Sequence, residues 1–592
     1  MTSQRKFLRV ISSLAVLLVA TGCQSYCASH LEECLARRAL AAPSTGAGGA
    51  GGRACNDLVE DAAPIEPVKP PPAITGGSLA AMADGSWIIA DTDRAAIWHV
   101  SSTEVLGRYP LRLGDGPGRV LTVGTKAFIV LRSAGQLAEL DLERGVLTRF
   151  DTCTEPRALI MRGDQLLVGC ATGRIESISP AAPGLRTLVM ESPDLADLRD
   201  LTVDGSRLLA STFRNAQVFE VRSSGAPRLL NAPSAPADAS NRTFAPRVAW
   251  RMRGAVMVAQ QELTSSLPPF STCAPYYGPP ASFITGVVNT AVYRVGADVR
   301  LLTVVPGAVV PVDVAERAGQ VVIASAGTNA VVSINTLTRE QSTWTLPGQP
   351  TSLTFSAGTI AVFMREPARL LIFSLDGLPL GQVNLNAESV FSTGHDVFHR
   401  ATTKGIACAS CHPEAGEDGH VWQFFEGARR TPSLRGGLID TAPFHWSGDQ
   451  VAMPQLMQNV MNARMGGATQ SDARSAALLS WLDAQPALKA PPVDTASAER
   501  GRAVFESVEA GCASCHTGAR GTNNLTVDVG TGGAFQVPRL SEVAWRSPLF
   551  HDGRLAGLEE RLLPVSGPEL HGKMGHLDAA GRADLLEYLK TR

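Results

Sequence analysis

The chain contains two copies of a five-residue pattern that can hold a prosthetic group. Cys-Ala-Ser-Cys-His occurs at residues 408–412 and again at residues 512–516. Cys-x-x-Cys-His is the attachment sequence of c-type haem. The two thiols form thioethers with the haem vinyl groups, and the adjacent histidine binds the iron. The sequence therefore predicts two covalently attached haem c groups, with the attaching and proximal residues Cys408, Cys411, His412, Cys512, Cys515 and His516.

Two other uses of paired cysteines fit this spacing less well. A structural zinc site needs four ligands in two close pairs, whereas these pairs lie about a hundred residues apart and each has its own histidine. A thioredoxin-like dithiol needs a βαβ setting and no adjacent histidine. We refer below to residues 408–412 and 512–516 as the first and second attachment motifs.

Composition predicts a folded protein of several domains. The chain has 592 residues, 44% hydrophobic and 18% charged, which is ordinary for globular proteins but too long for one core. The formal net charge is −2 and no dense Lys/Arg run is present, which argues against a nucleic-acid partner.

The N-terminus has the features of an export signal. Arg5, Lys6 and Arg9 precede an apolar run too short to span a bilayer. The run ends in "LVATGC", which resembles a bacterial lipobox, so residues 1–22 are predicted to be a lipoprotein-type signal peptide and Cys23 the lipidated residue. Gln24 then suggests the outer membrane over the inner one, and the alternative is a plain signal peptide cut nearby.

The remaining cysteines support export. Without Cys23 and the four motif cysteines, six remain, and an even number fits disulfides in an oxidising compartment. Cys153 and Cys170 are the favoured pair because they fall on neighbouring strand-like segments. The other four are Cys27, Cys34, Cys55 and Cys273.

The middle of the chain is predicted to be a seven-bladed β-propeller. Residues 23–76 are a Cys-bearing, Gly/Pro-rich linker, and residues 77–384 contain seven strand-rich units about 40 residues apart, with one excursion near Pro268–Pro280. Such a period with short strands is typical of propeller blades. Strand pairs such as "ADTDRAAIWHV" resemble the YVTN/NHL propellers, and the alternative is a β-solenoid or sandwich.

The sequence pattern changes after about residue 385, where apolar residues take helical spacing and long loops begin. Blocks occur there in the order "CASCH", "GHVWQFFEGARRTPSL", "APFHWSGD", "GCASCH" and "VPRLSEVAWRSPLFHDGRLAGLEE". They resemble the bacterial dihaem cytochrome c peroxidases and their relatives that mature a tryptophan-derived cofactor. The resemblance implies mainly α-helical cytochrome c-like domains, at residues 385–495 and 496–592.

The resemblance also implies roles for individual residues. His420, in the "GH-x-W" block, would cap the distal side of the first haem, where peroxide reacts; the alternative is a solvated loop histidine. Trp446, in "PFHWSGD", would couple the haems; the alternative is a core tryptophan. The second haem would receive electrons, with Met574 as its distal ligand and His571 and His576 as competitors.

Three further features depart from that family or add to it. The methionines at 453, 457, 461 and 465 are spaced four apart and are predicted to form a core face rather than ligands. The peroxidases carry a Gln and a Glu after the bridging tryptophan, whereas residues 453–471 here contain Gln455 and Gln458 but no carboxylate before Asp472. Arg430 stands where the family's interhaem calcium site has Asn, so the sequence does not decide whether this chain binds calcium.

These observations predict an exported dihaem oxidoreductase that reduces hydrogen peroxide with electrons from a small cytochrome or cupredoxin, in the periplasm or on the outer membrane. The alternative is electron transfer, or oxidation of a protein substrate, without peroxidase turnover. In either case the propeller is a candidate partner-binding module, and the lipid anchor is the membrane contact.

Overall fold

Seven four-stranded antiparallel sheets follow one another from residue 79 to residue 384. The computed structural model describes residues 58–230, 243–264, 286–564 and 568–592. The predicted signal peptide, Cys23, Gln24, four of the remaining cysteines (Cys27, Cys34, Cys55 and Cys273) and most of the excursion near Pro268–Pro280 lie outside these residues. Each sheet is built from four consecutive strands, and the predicted seven-bladed propeller is confirmed.

Strand β1 (Val59–Glu60) precedes the propeller, and the next sixteen strands form the first four blades. Blade 1 contains β2 (Leu79–Ala81), β3 (Trp87–Asp91), β4 (Ala96–Val100) and β5 (Val105–Pro110). Blade 2 contains β6 (Pro117–Val123), β7 (Lys126–Leu131), β8 (Gln136–Asp141) and β9 (Val146–Asp151). Blade 3 contains β10 (Pro156–Arg162), β11 (Gln165–Cys170), β12 (Arg174–Ser179) and β13 (Ala182–Glu191). Blade 4 contains β14 (Leu198–Asp204), β15 (Arg207–Thr212), β16 (Val218–Val221) and β17 (Arg228–Leu230).

The last three blades complete the ring. Blade 5 contains β18 (Phe244–Arg253), β19 (Val256–Leu263), β20 (Val288–Val295) and β21 (Val299–Val305). Blade 6 contains β22 (Pro311–Arg317), β23 (Gln320–Ser325), β24 (Ala330–Asn335) and β25 (Gln341–Thr345). Blade 7 contains β26 (Pro350–Ser356), β27 (Thr359–Arg365), β28 (Ala368–Ser374) and β29 (Pro379–Asn384). Ile89 and Trp98 of blade 1 share an apolar cluster with Phe363 and Leu370 of blade 7, so the ring closes by side-chain packing.

The burial of the strands explains their sequence patterns. Strand β3 is buried along its whole length, whereas the outermost strand β5 alternates between half-buried and exposed residues. A strand covered on both faces has no need to alternate, which is why the second strands are continuous apolar runs. Cys153 and Cys170 form a disulfide at blade 3, and this predicted pairing is confirmed.

The region after the propeller contains short helices joined by long loops. Its α-helices are α1 (Thr393–His399), α2 (Cys408–Cys411), α3 (Met453–Leu456), α4 (Asp472–Asp483), α5 (Thr495–Glu506), α6 (Leu558–Arg561) and α7 (Ala579–Lys590). A π-helical segment (Met457–Arg464) continues α3. The strands are β30 (Val421–Phe424), β31 (Gly427–Arg430), β32 (Thr469–Gln470), β33 (Thr526–Asp528) and β34 (Ala534–Gln536). We call residues 385–592 the haem region after the two predicted attachment motifs that it contains. That it binds haem and that it divides into cytochrome c-like domains stay predictions.

Side-chain caps explain where the longer helices begin. The Ser471 hydroxyl accepts a hydrogen bond from the main-chain N–H of Arg474 at the start of α4. Asp494 and Asp578 cap α5 and α7 in the same way. Such caps pair donors that have no partner within the helix. Among the described residues, no helix is both long and apolar enough to cross a bilayer.

The described part of the predicted linker, residues 58–76, lies against the haem region. Strand β1 pairs in parallel with β32, and the carboxylate of Glu60 accepts hydrogen bonds from Arg400 and Arg474. The indole N–H of Trp481 donates to the carbonyl of Pro71 over 2.8 Å. This segment therefore connects the start of the propeller to helix α4 by main-chain and side-chain contacts.

Candidate functional site

The first attachment motif lies on helix α2 and the residue that follows it. Cys408 and Cys411 are free thiols at the two ends of this single helical turn, unlike the disulfide-bonded Cys153 and Cys170. The Nδ1 atom of His412 lies 3.2 Å from the carbonyl oxygen of Gly416. A metal-binding histidine commonly donates one ring N–H to a carbonyl in this way, which orients the other nitrogen as the ligand.

The second attachment motif has the same chemistry in a different local structure. Cys512 begins a short 3-10 helix, and Cys512 and Cys515 are both free. The Nδ1 atom of His516 lies 2.9 Å from the carbonyl oxygen of Gly521. Both motifs thus offer two thiols and an imidazole whose Nε2 is not engaged by this contact, and these residues fit a covalently attached haem.

The protonation of the thiols argues against redox exchange at the first motif. Burial raises the pKa of Cys408 to about 12. Burial also raises the pKa of Cys411 well above its ordinary value, with the Asp418 and Glu262 carboxylates adding to the effect. An exchanging dithiol requires a lowered pKa because the thiolate is the nucleophile. The environment of Cys408 and Cys411 is therefore unlike that of a thioredoxin-type site.

The two halves of the haem region repeat the same local geometry after each motif. His445 and Phe550 both have φ of 67°, and each is followed three residues later by a glycine with positive φ. An isolated bridge joins Phe444 to Gln450, and a matching one joins Leu549 to Leu555. The position of Trp446 in the first half therefore corresponds to that of His551 in the second.

Reciprocal hydrogen bonds join these two halves. The main-chain N–H of Gln536 donates to the carbonyl of Trp446 over 2.8 Å, and the N–H of Arg430 donates to the carbonyl of His551 over 2.6 Å. The indole N–H of Trp446 also donates to the carbonyl of Arg430 over 2.7 Å. The ring of His551 stacks on Phe535 with centroids 3.6 Å apart. Trp446 is therefore part of the junction between the halves.

His420 is buried against the propeller. Its Nε2 lies 3.1 Å from the carbonyl oxygen of Leu263, at the end of strand β19. Its Nδ1 lies 3.8 Å from a carboxylate oxygen of Glu262. The ring packs edge-on against Trp422 with centroids 4.4 Å apart. The alternative of a solvated loop histidine does not fit these contacts, because the side chain of His420 is only 4% exposed.

Blade 5 of the propeller places two polar side chains, those of Gln260 and Glu262, next to the first attachment motif. The side-chain amide of Gln260 donates to the main-chain carbonyl of Ser410, inside the motif, and to Glu262 over 2.7 Å. Burial, together with the neighbouring Asp418 carboxyl, raises the pKa of Glu262 well above its ordinary value. Burial raises the pKa of Asp418 to about 7. Two carboxyl groups with raised pKa therefore lie close to Cys411.

The loop after the first motif carries two carboxylates, those of Glu414 and Glu417, that pair with arginines of the propeller. Glu414 is 5% exposed, and its carboxylate accepts hydrogen bonds from Arg132 of the segment after β7 and from Arg199 of β14. Burial alone would raise the pKa of Glu414, but Arg132 and Arg199 outweigh it, so the pKa lies well below its ordinary value. Glu417 pairs with Arg214 over 2.9 Å. The first motif is therefore attached to blades 2 and 4 by buried ion pairs.

Near the second motif the structure brings His571 close to His516, and Met574 lies in an apolar cluster against which Cys512 packs. The rings of His516 and His571 have centroids 6.2 Å apart, and the Arg561 guanidinium donates to Nδ1 of His571 over 3.2 Å. Met574 is 2% exposed and belongs to an apolar cluster with Leu558 and Leu562. His576, the third candidate, is exposed.

The methionine series packs mainly as predicted. Met453, Met457 and Met461 are buried in an apolar cluster that spans blades 5 to 7 and the haem region, and Cys408 packs against it. Met453 also lines a cavity of about 270 Å³ together with Phe444, Leu438 and Leu479. The predicted core role of these three methionines is confirmed, while Met465 is half-buried.

Other residues named from the sequence have ordinary local contacts. The side chain of Gln455 accepts a hydrogen bond from the N–H of Val451 over 2.8 Å, and Asp472 begins helix α4. The guanidinium of Arg430 pairs with Glu417. Across the described ranges, no group of three or more His, Cys, Asp or Glu side chains is spaced to hold a metal ion.

Sequence reasoning missed Glu262 and Gln260, which the fold brings to the first motif. Both lie on β19, an eight-residue strand buried along its whole length. A signal was present, since Gln260, Gln261 and Glu262 interrupt an apolar strand and charged residues are almost never fully buried without a partner. No local pattern identifies that partner, because Ser410 lies 150 positions further along the chain.

The solved structures that resemble this chain each cover about half of it. Hydrazine synthase of Kuenenia stuttgartiensis is 12% identical with a TM-score of 0.40, covering 52% of this chain and 97% of its own. Streptogramin B lyase is 10% identical with a TM-score of 0.37, covering 51% and 94%. BamB from Moraxella catarrhalis is 17% identical with a TM-score of 0.30, covering 52% and 84%. No protein-family model matches the chain, and no curated protein sequence does.

Proposed function

We propose that this protein is an exported dihaem c-type oxidoreductase that reduces hydrogen peroxide with electrons relayed between its two haems. The observation that carries the proposal is the pair of attachment motifs, each with free cysteines and a histidine whose Nδ1 contacts a main-chain carbonyl. Covalently bound haem would supply the electron transfer and the reduction of peroxide to water.

The residues of the chain divide this work between the two halves. Cys408, Cys411 and His412 would hold the first haem, and Cys512, Cys515 and His516 the second. Trp446 contributes the route between the halves, which is supported by its hydrogen bond to Arg430 and by the reciprocal main-chain bonds. For the second haem the contacts favour His571 as distal ligand, and Met574 remains the competing candidate.

Two further parts of the proposal concern location and donor. A disulfide between Cys153 and Cys170 fits an oxidising compartment, which supports an envelope location with an anchor at Cys23. A small cytochrome or cupredoxin would deliver electrons to the second half. Calcium is not assigned a role, because the Arg430 guanidinium pairs with Glu417 at the position where the resemblance predicts an Asn ligand.

The proposal is tested on the purified holo-protein. Haem content is measured for the wild type, Cys408→Ala and Cys512→Ala, with two haems expected in the first and one in each variant. Peroxide consumption is then followed with a reduced small electron donor. No bound haem would contradict the whole proposal, whereas full haem content without peroxide consumption, with both irons six-coordinate, would contradict the peroxidase part.

A second candidate function has its own support. Electron transfer, or oxidation of a protein partner, without peroxide turnover is favoured by the contact of His420 Nε2 with Leu263 and by the lack of a carboxylate in the segment 453–471. The propeller would then select the partner. Blades 2 and 4 already bind the haem region through Glu414 and Glu417, so a partner would use other surfaces of the ring.

A further inference from the structure

Blade 5 holds both the first attachment motif and His420 by direct contacts. The Gln260 amide bonds to the carbonyl of Ser410, and the Leu263 carbonyl oxygen lies 3.1 Å from Nε2 of His420. The Glu262 carboxylate lies between these contacts along the strand, with one oxygen bonded to Gln260 and the other 3.8 Å from Nδ1 of His420. Three residues of strand β19, Gln260, Glu262 and Leu263, therefore contact the site.

The position of His420 is fixed on its other sides as well. Its main-chain N–H donates to Asp418 over 2.8 Å, and its carbonyl accepts from Thr431 over 3.1 Å. Trp422 packs edge-on against the ring, and its own indole N–H donates to the Thr431 hydroxyl over 3.1 Å. These contacts leave rotation of the side chain as the simplest way to move the imidazole.

The two ring nitrogens of His420 have different neighbours. A neutral imidazole has one N–H donor and one acceptor nitrogen. When Nε2 donates to the Leu263 carbonyl, that nitrogen has no lone pair for iron, and Nδ1 faces Glu262. Within the described part of the chain, His420 Nδ1 and Glu262 Oε2 are both buried without a hydrogen-bond partner. The Glu262 carboxyl therefore faces the ring nitrogen of His420 on one side and the Asp418 carboxyl on another.

We infer that blade 5 of the propeller is a positioning element for the first haem site, with Glu262 and the Leu263 carbonyl holding His420 away from the iron. This inference rests on the proposed function. His420 has two competing partners, the propeller strand and the metal, and Glu262 shifts the balance towards the strand. The propeller would thereby set whether His420 or a small molecule such as peroxide reaches a haem held by Cys408, Cys411 and His412.

The inference is tested by the spin state of the first haem in the full-length holo-protein, measured by EPR and optical spectroscopy. Glu262→Ala is expected to lower the high-spin fraction at least twofold, because His420 is released to the iron. Glu262→Gln retains a side chain of the same shape that can donate to Nδ1, and is expected to keep the wild-type fraction. His420→Ala is expected to be high-spin, with no further change on adding Glu262→Ala.

A matched control separates position from general damage to the propeller. Glu139 is a buried propeller glutamate that pairs with Lys126, and Glu139→Gln or Glu139→Ala should leave the first haem's spectrum unchanged. Full haem content with identical spectra for wild type and Glu262→Ala would overturn this inference alone. A wild-type protein without covalently bound haem would overturn it together with the proposed function.

Discussion

The indole of Trp446 and the imidazole of His551 lie 6.3 Å apart between ring centroids, at corresponding positions of the two halves of the haem region. The main-chain carbonyl of each accepts a hydrogen bond from the other half. This reciprocal arrangement brings the segments that follow the two attachment motifs together. It also gives one aromatic residue from each half to the junction, which the sequence presents more than a hundred residues apart.

Trp446→Phe should slow electron transfer between the two halves. The substitution removes the indole hydrogen bond to Arg430 and part of the contact with His551. We expect the rate of reduction of the first haem by the second to fall about tenfold, equivalent to about 1.4 kcal/mol in the barrier. Stopped-flow spectroscopy after rapid reduction measures this rate.

Trp545→Phe is the matched control for that experiment. Trp545 is a buried tryptophan of the haem region and, like the half-buried Trp446, donates its indole N–H to a main-chain carbonyl, that of Lys489 over 3.1 Å. Its substitution should cost similar stability but leave the rate between the haems unchanged. Equal rates in Trp446→Phe and wild type would remove Trp446 from the electron route.

His571→Met should raise the reduction potential of the second haem. A thioether ligand stabilises reduced iron more than an imidazole does. We expect a rise on the order of 0.1 V, within the ~0.8 V range that axial ligands span. Potentiometric titration followed optically measures it. Met574→Leu, which keeps an apolar side chain in the cluster with Leu558, should leave the potential unchanged. A potential that changes in Met574→Leu but not in His571→Met would identify Met574 as the ligand.

Glu414→Gln should weaken the attachment of the haem region to the propeller. The variant leaves the buried guanidinium groups of Arg132 and Arg199 without their carboxylate. Removing one partner of a buried ion pair costs about 3–5 kcal/mol. Denaturant unfolding of the holo-protein, followed by tryptophan fluorescence and haem absorbance, measures the loss.

The exposed Glu143 provides the control for Glu414. Glu143→Gln should change the free energy of unfolding by less than about 0.5 kcal/mol, as is usual for surface substitutions. An unfolding free energy for Glu414→Gln within that same range would show that the buried ion pairs do not stabilise the junction.

His399 should make the protein less stable in acid. Burial lowers the pKa of His399 to about 3, against an ordinary 6.5. Its Nδ1 lies 2.9 Å from the carbonyl of His395, and its Nε2 accepts from the N–H of Ile74, so a second ring proton would face a donor. Below pH 6.5 the unfolded chain binds a proton that the folded protein does not. The stability that depends on a neutral His399 is therefore fully present above pH 6.5 and is lost as the pH falls towards 3.

The contribution of His399 to that loss should be about 1.4 kcal/mol per pH unit. His399→Gln removes the titrating group, so its free energy of unfolding should fall less steeply between pH 6 and pH 4 than that of the wild type. The exposed His576 serves as control, and His576→Gln should retain the wild-type slope. Equal slopes for all three proteins would contradict the prediction.

Short-range patterns in the sequence determined much of this protein. The spacing of Cys408, Cys411 and His412 defines an attachment motif within five residues, and the period near 40 residues predicts seven blades. The pairing of Cys153 with Cys170 joins residues only 17 positions apart, although Cys153 lies between β9 and β10 and not on a strand. These features could be predicted because spacing, periodicity and neighbouring strands act over short stretches of chain.

The surroundings of the first attachment motif depend on contacts between residues that are far apart along the chain. Glu262 and His420 are separated by 158 positions, and Arg132 and Glu414 by 282, in the numbering of the chain. No local pattern relates such residues, because their contact depends on how the propeller ring closes and where the haem region packs on it. Local spacing therefore predicts which groups would hold haem, whereas the packing of the two regions fixes which propeller side chains contact them.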